Sequence, residues 1–106
     1  MKKYTIALSL ALFSVPVLAE ENLLAGADAG YGEYLAGECV GCHKIQGASE
    51  GIPSITGWDA ETFATVIHAY KNKELENPVM QLIAGRLEDD QIASLAVYFA
   101  SLPAQE

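Results

Sequence analysis

Three observations predict an all-α domain. Apolar residues recur at helical spacing over residues 63–70 and again over 92–102. Residues typical of helix N-termini precede both stretches, with Asp59 before the first and an acidic run at 88–90 before the second. Apolar and polar residues do not alternate over the length of a strand anywhere in the chain, so no sheet is predicted.

Composition limits the classes of protein to consider. The chain has 106 residues, which suits one small domain, and it is 51% hydrophobic and 19% charged, which excludes a disordered polymer. Its formal net charge of −8 excludes nucleic-acid binding, because neutralising phosphates requires clustered basic side chains. Two cysteines are too few for a disulfide-rich secreted scaffold.

The N-terminus has the pattern of an export signal. Lys2 and Lys3 form a basic start, residues 6–18 are uncharged and apolar, and Val17 and Ala19 occupy the −3 and −1 positions of a cleavage site. An uncleaved anchor is the alternative, but a membrane span needs about 20 apolar residues. We therefore predict a signal peptide over 1–19, a domain over 20–106 in a bacterial periplasm, and no membrane span after cleavage.

Helix boundaries follow from caps and breakers. A first helix is predicted from Asp28 to Glu38, with Tyr31, Tyr34 and Leu35 on one face.

The remaining boundaries come from similar signals. Residues 44–57 carry Gly and Pro and indicate an irregular loop. The middle helix should run from Asp59 to about Asn72, and the last should start at residues 88–90 and stop at Pro103. The Asn77-Pro78 pair is predicted to break the chain, which leaves residues 77–80 irregular.

The motif that indicates chemistry is Cys39-Val40-Gly41-Cys42-His43. Two thiols at this spacing can form thioether bonds with both vinyl groups of one haem, and the adjacent histidine can then ligate the iron. A disulfide or a thiol redox pair is the alternative, but no βαβ pattern surrounds the motif and His43 would have no role. A zinc site would need further ligands, which the chain lacks.

A second iron ligand is predicted in Met80, the only methionine after the signal peptide. Its place between the middle and last helices favours ligation over a packing role. Ligation by His and Met raises the reduction potential and suits electron transfer. The competing ligand is His68, which lies off the apolar stripe of its helix and is predicted to be exposed.

Over the part that follows the signal peptide, the sequence resembles the class I c-type cytochromes. The resemblance rests on Cys39–His43, the segment 51–57, Met80 and the terminal helix. It implies three main helices around one covalently attached haem c, with Pro53 offering its carbonyl to His43 Nδ1–H. It also implies that the first and last helices cross, placing the apolar face of the first against Ala96 and Phe99. Either Gly30 or Gly32 would be the close-contact residue.

Within that family the segments 53–71 and 79–84 are similar to the cytochrome subunit of flavocytochrome c sulfide dehydrogenase. The likeness implies an FAD-containing partner that oxidises sulfide and passes electrons to the haem, the cytochrome itself having no catalytic residues. A freestanding soluble carrier remains the alternative. Whether Trp58 or Arg86 contacts a haem propionate is left open. With so few basic residues, the partner surface should be apolar, or acidic against a basic partner.

Overall fold

A computed structural model of the chain describes residues 22–105 and has five helices. They are α1 (Ala29–Leu35), α2 (Gly37–Val40), α3 (Ala60–Lys71), α4 (Pro78–Gly85) and α5 (Asp89–Ala100). The all-α prediction is confirmed: α1, α3 and α5 correspond to the three predicted helices, α4 is an additional helix, and no strand forms between residues 22 and 105. No helix in that range is long and apolar enough to cross a bilayer. The predicted signal peptide over 1–19 lies outside the described residues.

Two predicted N-caps are confirmed by hydrogen bonds. Asp28 Oδ1 accepts from the Tyr31 amide and Asp59 Oδ2 from the Thr62 amide, both at 3.0 Å. The first helix does not continue unbroken to Glu38 as predicted. It ends at Leu35, and Ala36 serves as both the C-cap of α1 and the N-cap of α2.

The last helix forms the centre of the core. Its residues Ile92, Leu95 and Phe99 are at most 1% exposed, and the Phe99 ring stacks on Phe63 of α3 at a centroid distance of 5.5 Å. Glu88 is a weak cap by type, but its amide donates to Gln91 Oε1 at 2.9 Å, which satisfies a donor at the helix start.

The first and last helices pack together as the family resemblance implied, and Gly32 is the close-contact residue. A methyl group on Gly32 would overlap the Ser94 carbonyl and lie 2.8 Å from Tyr98 Cβ. The expected role of Tyr34 in this interface is wrong, because its side chain is 81% exposed. Glycine, and not an aromatic stripe, allows the two backbones to approach.

The expected break at residues 77–80 is also wrong, because α4 begins at Pro78. Asn77 is the N-cap, and its Oδ1 accepts from the Met80 amide at 3.0 Å. Proline costs nothing in the first position of a helix, where its missing N–H would have no intrahelical partner. The pair that ends one helix in many sequences starts one here, and α4 packs on α3.

The contact between α1 and α5 generates a stability prediction. Gly32→Ala should lower the free energy of unfolding by about 3 kcal/mol or more, because backbone atoms must move apart. The matched control is Gly37→Ala, since nothing lies within 4 Å of a methyl group added there. Denaturant unfolding of the purified proteins measures both. A wild-type midpoint for Gly32→Ala would contradict the close approach.

Candidate cofactor site

An apolar cavity of about 440 Å³ opens between α3, α4 and the segment that carries the Cys-x-x-Cys-His motif. This volume lies in the range of about 300–1,000 Å³ that is usual for small-molecule and cofactor sites. Most of its wall is aliphatic or aromatic. Those residues are Ile52, Ile55, Trp58, Phe63, Val66, Ile67, Tyr70, Val79, Ile83, Leu87 and Leu95.

The four residues predicted to hold a cofactor all line this cavity: Cys39, Cys42, His43 and Met80. Cys39 lies in α2, and its carbonyl accepts from the amides of Cys42 and His43 at 3.2 and 2.8 Å. That turn gathers both thiols and the imidazole at one cavity. Met80 reaches it from the first turn of α4.

His43 is oriented by a backbone carbonyl. Its Nδ1 lies 2.8 Å from the carbonyl oxygen of Pro53, the pair that the family resemblance implied. Because a carbonyl only accepts, Nδ1 must carry the proton, and Nε2 keeps the lone pair that a metal ion requires. Pro53 itself is exposed, so this hydrogen bond lies near the surface.

The environment of Cys39 does not suit a reactive thiolate. Burial, and to a smaller extent the negative charge of Glu38, raise the pKa of its thiol to about 11. Cysteines that work in thiol–disulfide exchange have a lowered pKa, because the thiolate is the nucleophile. At neutral pH this thiol stays protonated, which argues against Cys39 as the nucleophile of a redox pair.

The other candidates lie elsewhere or are engaged. His68 does not line the cavity; it is half-buried on α3, in a separate surface cleft with Asn72 and Asp89. Arg86 is exposed and also lies outside the lining. Trp58 lines the cavity, but its Nε1–H donates to the Ser54 carbonyl at 3.1 Å.

Two cavity residues were not anticipated from the sequence. Glu38 and Asn77 both line the cavity. Asn followed by Pro is a helix-start signal as well as a breaker, so Asn77 could have been found as the cap of a short helix. No signal in the sequence indicated Glu38.

The residues fit a haem. The apolar cavity is lined by two thiols, an imidazole and a thioether, which are the side-chain types that would tether and ligate such a group. A zinc ion would instead need a compact cluster of ligands. No group of three or more His, Cys, Asp or Glu residues that could hold a metal occurs within 22–105.

Comparison with known proteins agrees with this fit, although no family model matches the chain. The chain is 34% identical over 79 residues to cytochrome c-554(548) of Halomonas halodenitrificans, which covers 70% of this chain and 95% of that protein. It is 36% identical over 72 residues to the cytochrome subunit of sulfide dehydrogenase of Chlorobaculum tepidum, covering 67% of this chain and 66% of that subunit. With this similarity and the cavity together, the chain belongs to the class I c-type cytochromes, which are haem-containing electron carriers.

Proposed function

We propose that the protein transfers single electrons through one haem c, bound covalently by Cys39 and Cys42 and ligated by His43 and Met80. The observation that carries the proposal is the convergence of these four side chains on one apolar cavity. When bound, the haem supplies a one-electron iron couple. Two protein ligands would close the iron to small molecules, which suits a carrier and leaves no open position for substrate.

Each residue has a defined task in this proposal. The two thiols tether the group beside α2, and the Pro53 carbonyl holds the His43 ring so that Nε2 points away from the hydrogen bond. The cap by Asn77 fixes the backbone of Met80 and contributes about 1 kcal/mol to its helix. The apolar wall keeps water from the iron, which influences the reduction potential.

Export belongs to the same proposal. Covalent attachment at a Cys-x-x-Cys-His motif and a leader over 1–19 fit one location, the bacterial periplasm. The leader has the basic start, the short apolar run and the small residues at the cleavage site that exported proteins share. Cleavage after Ala19 would remove Lys2 and Lys3 and make the remaining protein more acidic.

An intact mass spectrum tests attachment and cleavage together. The denatured protein, purified from its native host, should have the mass of residues 20–106 plus one haem. The bare mass of residues 20–106 would contradict covalent attachment. A mass that includes residues 1–19 would contradict cleavage and leave the haem proposal intact.

The Met80→Ala variant tests the second ligand. It should keep its covalent haem but bind carbon monoxide in the reduced state, because alanine has no atom that would ligate the iron in place of the Met80 thioether. Absorbance spectra with and without carbon monoxide measure this. The control is Val79→Ala, a neighbour that lines the same cavity and carries no ligating atom. If Met80→Ala stayed closed to carbon monoxide, with an unchanged potential, Met80 would not be the ligand.

As to the partner, we propose an FAD-containing, sulfide-oxidising subunit that delivers electrons to this haem. Similarity to a sulfide dehydrogenase cytochrome subunit supports the proposal. A surface suited to such a partner lies beside the cavity: Val79 lines it and is 63% exposed, and Leu82, one turn later on α4, is also 63% exposed. The helix from Pro78 to Gly85 carries no charged residue, so its contact would be apolar.

Co-purification and a matched pair of variants test the partner. Gentle purification from the native host at low salt should yield haem and flavin absorbance in one complex. Leu82→Glu should release the flavin protein, because a charge would be buried in an apolar contact. Tyr34→Glu is the control, since Tyr34 is exposed on α1 and does not line the cavity. Haem without flavin from the unaltered protein would favour the freestanding carrier, and colourless protein with titratable thiols would favour the dithiol enzyme.

A further inference from the structure

Trp58 connects the core to the loop that orients His43. Its indole N–H donates to the Ser54 carbonyl at 3.1 Å. Its ring packs edge-on against Phe63 at a centroid distance of 6.3 Å, and Phe63 in turn stacks on Phe99 of α5. The side chain is therefore fixed on its inner side by the core, and its one polar atom is committed to the backbone of residues 53–57.

The Ser54 carbonyl, which accepts from Trp58, directly follows the Pro53 carbonyl, which accepts from His43. Pro53 and Ser54 supply successive carbonyls, the first accepting from His43 Nδ1 at 2.8 Å and the second from Trp58. The two peptide units meet at Ser54 Cα, so once the Ser54 carbonyl is held, the preceding unit can turn only through changes in the φ and ψ angles of Ser54. The Pro53 carbonyl has no comparable support from its own side chain, which is exposed.

Two further contacts hold the same loop. Ser54 Oγ lies 3.2 Å from Oγ1 of the buried Thr56, and the Gly57 amide donates to the Phe99 carbonyl at 2.8 Å. The end of the loop is thus attached to α5, and the Ser54 side chain is held by Thr56, whereas the Ser54 carbonyl is held by Trp58. Loss of the indole N–H would free this carbonyl without detaching the end of the loop.

We infer that Trp58 is a positioning residue, which holds the Ser54 carbonyl and through it aims the Pro53 carbonyl at His43. The inference rests on the proposed function, in which His43 ligates the iron. A hydrogen bond to Nδ1–H makes an imidazole a more basic ligand and so stabilises oxidised iron. The indole N–H should therefore lower the reduction potential, because the hydrogen bond from His43 to the Pro53 carbonyl would be weaker without it.

The test is Trp58→Phe in the intact cytochrome, with two measurements. Exchange of the His43 Nδ1 proton, followed by NMR in the reduced protein, should become several-fold faster. The reduction potential should rise. We expect the equilibrium constant for one-electron reduction to increase by up to about tenfold, which corresponds to about 59 mV.

A second replacement separates the N–H from packing. Trp58 is the only tryptophan of the chain. Growth on a tryptophan analogue that carries sulfur in place of the indole N–H would therefore alter this site alone and keep the shape of the ring. It should reproduce both effects. Phe99→Leu is the control, because it disturbs the aromatic stack and leaves the indole hydrogen bond; it should lower stability without changing exchange or potential.

The outcomes distinguish the inference from the proposed function. If the NMR spectrum of the unaltered protein showed no iron-bound His43, the proposed ligation would fail before any variant was compared. If His43 were bound but the exchange rate stayed the same in both replacements, Trp58 would be a packing residue only. A changed potential with unchanged exchange would assign the indole N–H to another acceptor and would also overturn the inference.

Discussion

The close approach of α1 to α5 at Gly32 is the constraint on which the rest of the structure depends. It fixes α1, and α2 follows α1 after a single shared residue, Ala36, so the crossing also sets where Cys39 lies. The same helix α5 also packs against α3. Because α3 packs in turn against α4, which contains Met80, this contact helps to place Met80. The two halves of the cofactor site are thus positioned by one helix that contributes only Leu95 to the cavity wall.

The apolar cavity explains why so small a domain needs a cofactor. A domain of this length buries a modest share of its surface, and part of its apolar residues face the cavity instead of one another. Walls of this kind gain dispersion and hydrophobic stabilisation only when a large apolar group fills the space between them. In the proposed cytochrome a tethered haem would supply that group permanently and would couple cofactor binding to folding.

The sequence predicts local chemistry well and contacts between distant residues poorly. The Cys-x-x-Cys-His motif could be interpreted without a structure, because it lies within five consecutive positions and its spacing is typical of haem attachment. Asn77-Pro78 could not be interpreted by type alone, since the same pair ends one helix or starts another depending on what packs there. The helical stripe that contains Tyr34 indicated a buried face, yet only the structure shows that Gly32 is the residue against α5 and that Tyr34 is exposed.

The two proposed iron ligands both line the cavity, and each is held by a hydrogen bond that involves the backbone. His43 is fixed through a backbone carbonyl, and Met80 through a side-chain cap on its backbone amide. Neither support uses a charged residue, so neither changes its protonation as the iron charge changes. Since capped and hydrogen-bonded segments resist displacement, both ligands can remain in place in the two oxidation states. Ligands that stay in place suit an electron carrier, because any rearrangement of them when an electron arrives would add to the activation barrier for electron transfer.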